Sequence, residues 1–268
     1  MIEDTLEEVF RHRESGLLHR VQHSDLTFRS PHARRHVREG YAPRLLLMQT
    51  NRFEMIKIAP LSRTKKLSSY ECADLNVHVN SWYVQLRGGL DNLAWAMHYE
   101  WGLLGSGDED DHTIRGKCHL FGKDFQRSVE AVLPELTPVL QQQADWAAEF
   151  KKLRDPIAHR VPMYAVPGVA FDDDKVRFES LNAEANAAAA AGDFNTFREK
   201  MFEAQEVGTY YHVFAMSGVG GIKLRRLPVQ LASDAKAFLT LCESIVSSFE
   251  ARCGLTAAAP DGGRVATS

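Results

Sequence analysis

The chain has 268 residues, of which 44% are hydrophobic and 25% charged, and a formal net charge of −3. This is the make-up of an ordinary globular protein, long enough to bury a substantial core as one large domain or two small ones. Four cysteines, Cys72, Cys118, Cys242 and Cys253, are scattered without a Cys-x-x-Cys pair, so neither a disulfide framework nor a zinc site is indicated and reduced structural thiols are expected.

The start, Met-Ile-Glu-Asp-Thr-Leu-Glu-Glu, lacks the basic-then-apolar order of a signal peptide, and no run is apolar for long enough to span a bilayer. A cytoplasmic protein without a membrane partner is expected. The net charge hides a division along the chain. Residues 29–66 hold ten Lys or Arg against Glu39 and Glu54, a balance of +8, whereas residues 1–28 carry −3 and the remainder −8. A basic arm on an acidic body can bring phosphates to a site; it can equally be a solvated segment or one docked on the body itself.

Leu6, Val9, Phe10, Leu17, Leu18 and Val21 are compatible with an amphipathic helix over residues 2–22, weakened by Gly16. Leu26 to Ser68 reads as an irregular basic connection, in which only Leu45 to Ile58 is apolar and open to helix or strand. The longest element is a helix from Ser69 to Leu104. Leu75, Val79, Trp82, Leu86, Leu90, Leu93, Met97, Trp101 and Leu104 recur in steps of three and four, and Val84, Trp95 and Tyr99 widen the stripe. Such breadth suits the central helix of a bundle. Another edge carries Asn80, Arg87, Asp91 and His98, which can line a cleft, or simply pair Arg87 with Asp91 at i, i+4.

Gly105 to Lys123 reads as a loop. Its Asp108-Glu109-Asp110-Asp111-His112 run lacks the ligand spacing of an EF-hand, so no metal is assigned to it. Asp124 is expected to cap a helix over Phe125 to Leu133, and Thr137-Pro138 the helix that follows. After residue 160 the periodicity changes. Val161 to Ala170 and Lys175 to Leu181 predict two strands about Asp172-Asp173-Asp174. Asn182 to Ala191 predicts a helix stopped by Gly192, and Asp193 caps another to Val207. Tyr210 to Ala215 and Ile222 to Leu227 predict strands joined by a turn, and Leu231 to Ala251 a final helix. Three regions follow: an N-terminal helix with the basic connection (1–68), a helical domain with a β insertion at about 161–227 (69–253), and an Ala- and Gly-rich tail expected to be disordered (254–268).

The stretch with chemical content is Lys151-Lys152-Leu153-Arg154-Asp155-Pro156-Ile157-Ala158-His159-Arg160. An apolar stripe of helical period runs into it through Leu140, Trp146, Phe150 and Leu153. Pro156 lacks an amide N–H and clashes with the carbonyl four residues back, so the helix is expected to break there. Asp155 would cap a second short helix carrying His159 one turn in, with Arg154 just outside its positive end.

Arg154, the polar Asp155 and His159 resemble the Arg-x4-6-His signature of HEPN domains. The longer texts 153–164 and Leu86-Arg87-Gly88-Gly89-Leu90-Asp91-Asn92-Leu93-Ala94-Trp95 also look like a group of bacterial HEPN-like proteins. The resemblance covers roughly residues 70–165. It implies a mainly α protein, an up-and-down bundle here carrying a small β insertion. It also implies a metal-independent endoribonuclease without cofactors, in which two protomers bring their motifs together as a homodimer, and a possible antitoxin partner. Neutral His159 would take the proton of an RNA 2′-hydroxyl as it attacks the adjacent phosphorus, and Arg154 would meet the charge growing on the phosphate oxygens. Asp155 and Arg160 would support the pair. Arg87, Asp91 and Asn92, together with Arg34, Arg35 and Arg38 of the basic segment, are candidates for substrate binding. The alternative is a non-catalytic module that holds RNA, a nucleotide or a protein.

Overall fold

The computed structural model describes residues 9–23, 28–159, 162–218 and 221–253, with backbone alone at 9–11, 23, 156–159, 217–218 and 253. The protein is mainly helical, with one small three-stranded antiparallel sheet. The chain divides into two compact units, the first built from Met1–Gln49, Tyr83–Lys152 and Ser233–Ser268, the second from Thr50–Trp82 and Leu153–Ala232.

A π-helical turn (Val9–Glu14) runs into helix α1 (Ser15–His23), so the helix expected over residues 2–22 is present wherever that stretch is described. The basic connection is not irregular. Helix α2 (Pro31–Arg35), a second π-helical turn (His36–Tyr41) and helix α3 (Ala42–Ile58) follow one another without a break. Ser30 caps the start by accepting from the Ala33 amide, and Pro31 stands at the first position, where a missing N–H has no consequence. Gly40 and Pro43 punctuate this stretch in sequence, yet Val37, Tyr41, Leu45 and Met48 are buried along it in the first unit, and Met55 is buried in the second.

Helix α4 (Ser69–Trp101) matches the predicted central helix to within three residues. In the first unit, α4 buries Leu86, Leu90, Leu93 and Met97, and helix α11 (Leu227–Cys253) buries Phe238, Leu241, Ile245 and Phe249. Phe249 stacks on Trp101 with centroids 4.7 Å apart. Arg13 bonds Glu243 twice (2.8 and 2.6 Å), and Arg20 bonds Glu250 twice (2.8 and 2.5 Å). The matched seven-residue spacing on both sides sets α1 parallel to α11.

The stretch read as a loop contains helix α5 (His112–Lys117). Asp111 is its N-cap and accepts from the Thr113 and Ile114 amides. Helix α6 (Lys123–Val132) is capped by Gly122, and Asp124 lies in its first turn instead. A 3-10 turn (Pro134–Leu136) and helix α7 (Thr137–Gln142) precede helix α8 (Ala144–His159).

In the second unit, β1 (Tyr164–Ala165), β2 (Val213–Gly218) and β3 (Gly221–Arg226) form the sheet in that order. Asn76 and Asn80 of α4 act as a substitute strand for the segment around β1: the Ala165 amide donates to Asn76 Oδ1, and Asn80 exchanges bonds of 2.8 and 3.2 Å with the Met163 backbone. The strand predicted over Lys175 to Leu181 is instead part of helix α9 (Asp172–Ala190). Three aspartates in its first turn complement the helix dipole, and the alternating Val176 and Phe178 are exposed rather than buried on a sheet face. Gly192, at φ +78°, ends the pattern as expected, and Asp193 caps helix α10 (Phe194–Glu206). Leu181, Ala204 and Val207 form the small core of this helical hairpin.

Each of the four passages between the units falls inside a helix: at 49/50 in α3, 82/83 in α4, 152/153 in α8 and 232/233 in α11. No helix among the described residues is long and apolar enough to cross a membrane.

Candidate functional site

The Arg154 motif does not form the expected helix-break-helix. Helix α8 continues through Pro156 to His159, so Asp155 is a mid-helix residue and not an N-cap. Pro156 removes one donor and sits within four residues of the helix end, where one missing bond is least damaging. In a continuous helix, five residues turn through about 140° net and rise about 7.5 Å, so the backbone sends positions 154 and 159 to different sides of the rod. The Arg154 Nη1 donates to Asp155 Oδ1 at 3.1 Å, and the Arg154 side chain is only 21% exposed. Asp155 therefore orients the guanidinium of the residue before it. The side chain of His159, and Arg160 entirely, lie outside the described residues.

Arg154 and Asp155 belong to the second unit. Of the other candidates, Arg34, Arg35, Arg38, Arg87, Asp91 and Asn92 belong to the first, where a long-range contact joins Asn92 to the helical stretch that carries the three arginines. On α4, Arg87 and Asp91 form the i, i+4 pair that their spacing allows, at 2.9 Å. Asn92 comes from the same helix and meets His36, whose Nδ1 lies 3.3 Å from Asn92 Oδ1 while Nε2 lies 2.9 Å from Glu109 Oε1. The imidazole is thus clamped between the π-helical turn's two partners, one on α4 and one on the acidic loop. Gly40 belongs to this arrangement: a Cβ there would sit 2.7 Å from Asn92 Cγ, so only glycine lets the turn pack against the amide.

An aromatic stack adjoins the clamp. His32 lies on Tyr99 (5.0 Å between centroids), Tyr99 on His36 (5.6 Å), and Trp95 on Tyr99 (5.6 Å). His32 is exposed at the outer end, and exposed Arg34, Arg35 and Arg38 rise from the same helical stretch. Arg35 lies 3.9 Å from Glu39, too far for more than a weak surface pair. Cys118 and His119 stand at the other end of the acidic loop. Burial lowers the pKa of His119, with Arg87 acting in the same direction and Asp91 opposing; burial pushes the Cys118 thiol up.

Two residues of the expected polar edge serve the scaffold. Asn80 is committed to the Met163 backbone. His98 is buried: the Leu104 amide donates to its Nδ1 at 3.3 Å, so Nε2 carries the proton and donates to Gly107 O at 2.9 Å. It fastens the glycine-rich turn after α4. Among the described residues, no group of three His, Cys, Asp or Glu side chains is placed to hold a metal ion.

Of this cluster the sequence reading passed over His32 and His36, and it placed Trp95 and Tyr99 on the apolar stripe of α4 and Glu109 in the acidic run. One signal was present, His32 and His36 at helical i, i+4 spacing, but within a segment read as irregular. Compared with models of known families, with curated proteins and with solved structures, the chain matches none of them.

Proposed function

We propose that the protein is a HEPN-like module that binds single-stranded RNA. The observation that carries this reading is the aromatic stack ending in exposed His32, set on the same helical stretch as exposed Arg34, Arg35 and Arg38. Bases stack on aromatic faces irrespective of sequence, and guanidinium groups beside such a platform hold the phosphates between them. The +8 balance of residues 29–66 adds a long-range attraction for a polyanion. The test is fluorescence anisotropy with labelled single-stranded RNA over a salt series, comparing the wild type with Arg34→Glu/Arg35→Glu/Arg38→Glu. Losing three phosphate contacts should weaken binding and flatten the slope of log K against log salt by about 2. An unchanged affinity and slope would remove the arm from the interface.

A second reading, metal-independent cleavage of RNA, is supported by the partly buried Arg154 guanidinium held by Asp155 in the helix that also carries His159. In this reading, His159 acts as the base on the 2′-hydroxyl and Arg154 stabilises the phosphorane charge, within a homodimer. General-base catalysis contributes about 10²- to 10⁴-fold in rate. Incubation of the RNA with protein in EDTA, beside Arg154→Ala and His159→Ala variants of matched fold and oligomeric state, decides it. Cleavage lost in both variants assigns the pair; cleavage retained in either one removes the pair from the chemistry, and no cleavage by the wild type leaves binding as the function. DNA of the same sequence lacks the attacking hydroxyl and should remain intact.

A further inference from the structure

The outer edge of the small sheet carries an inference of its own. The Val166 amide donates to Val213 O at 3.2 Å, so Val213 and Ala215 turn their main-chain groups to β1, while Phe214 and Met216 turn theirs to β3. In the antiparallel register, Phe214 opposes Arg225 and Met216 opposes Lys223. Antiparallel ladders alternate bonded and non-bonded pairs, so Ile222, Leu224 and Arg226 direct their N–H and C=O groups away from β2. The bond from the Leu227 amide to His212 O, at 2.8 Å, follows the same phase. Among the described residues, no backbone bond reaches that edge. Ile222 and Leu224, side by side on one face, are 65% and 58% exposed. A six-residue edge with apolar side chains and open main-chain groups is a template for another strand.

We propose that the β3 edge docks an extended acidic segment of a partner protein as a fourth strand, its alternate apolar residues lying beside Ile222 and Leu224. The charges on β3 choose this occupant over a second copy of the chain. Pairing β3 with its own copy about Leu224 sets Lys223 opposite Arg225 twice, and moving the register one pair either way sets Lys223 opposite Lys223 or Arg225 opposite Arg225. Each arrangement opposes like charges. An incoming strand with Glu or Asp at those places and Val or Ile between them reverses the sign and keeps the apolar contacts.

The probe is a labelled, acetylated and amidated peptide of Glu-Val repeats, titrated into the full chain and read by anisotropy, with a Lys-Val peptide as comparator. Binding to Glu-Val but not Lys-Val is expected. Leu224→Pro removes an outward N–H and no bond to β2, and should weaken binding by about tenfold or more. Lys223→Glu/Arg225→Glu should transfer the preference to the Lys-Val peptide. The peptide supplies a control that leaves the protein untouched: N-methylation at its valines, which bond opposite Leu224, should abolish binding, and N-methylation at its glutamates should not. No binding of the Glu-Val peptide, equal binding of both peptides, or indifference to the methylated set overturns the proposal. A dimer in solution that Leu224→Pro dissociates also overturns it, assigning the edge to a second copy.

Discussion

Arg63 and Glu71 are joined by two near-parallel hydrogen bonds, Nη1 to Oε1 at 2.6 Å and Nη2 to Oε2 at 2.9 Å. The remaining donors of Arg63 reach the carbonyls of Ile58, Lys65 and Lys66 at 2.8 to 2.9 Å, so one side chain organises the whole connection between α3 and α4. The Arg63 bonds, assisted by Ser68, lower the Glu71 carboxyl from its ordinary value near 4.5 to about 2. A depressed carboxylate stabilises the fold above its unfolded pKa, and that contribution is lost as pH falls from about 4.5 to about 2. Glu71 is 37% exposed, so solvent screening limits the contribution to about 1 kcal/mol. Glu71→Gln should lower stability at pH 7 by that amount and flatten the fall in stability over this window; urea denaturation at several pH values measures both.

Buried Asp234 accepts from the Tyr83 hydroxyl at 2.7 Å and from the Trp146 indole at 3.0 Å, within the first unit. Asp234→Ala strips two donors of their acceptor and should cost about 2–4 kcal/mol, whereas Tyr83→Phe removes one bond and should cost about 1–2 kcal/mol. If chemical denaturation finds the two variants equal, the carboxylate is not the hub of this contact.

Gly40→Ala places a Cβ against Asn92 and should destabilise by about 1–3 kcal/mol while separating Asn92 from His36. Truncation of Asn92 makes room for that methyl. The double variant Gly40→Ala/Asn92→Ala should therefore be less destabilised than the sum of the two single variants, and additive costs in a double-mutant cycle would dissociate glycine from amide.

The twin clamps Arg13–Glu243 and Arg20–Glu250 have side chains 29% to 35% exposed, so each should contribute about 0.5–1 kcal/mol. Arg13→Glu should exceed that by adding repulsion. Restoration by the exchanged pair Arg13→Glu/Glu243→Arg, followed by thermal unfolding, would verify the parallel pairing of α1 with α11.

The central helix α4 was legible because its apolar residues keep a single period along its whole length; its start carries a further local signal that the reading left unused. The Ser68 and Glu71 side chains exchange bonds with each other's backbone amide, a capping box. The helical hairpin was half legible. Gly192 and Asp193 mark its turn, but Val176 and Phe178 alternate like a strand while lying exposed on α9, so the pattern that normally reports burial reported nothing. Proline misled at position 156, since its local penalty is set against the tertiary contacts of the helix around it. The i, i+4 pair Arg87–Asp91 was legible from spacing alone. His36 was not, because its partners Asn92 and Glu109 stand 56 and 73 residues further along the chain, and no local period encodes such an encounter.

The interleaving of the units governs the order in which the protein can be made. Residues 233–253, which supply Phe238, Ile245 and Phe249 to the first unit, leave the ribosome after every part of the second. The first unit stays incomplete until α11 is made, with Arg13 and Arg20 lacking Glu243 and Glu250 until then. With every passage between the units inside a helix, neither can be cut out and expressed as one uninterrupted fragment. A truncation that removes α11 takes the parallel partner of α1 along with it, so the first unit should collapse even though most of its own residues remain.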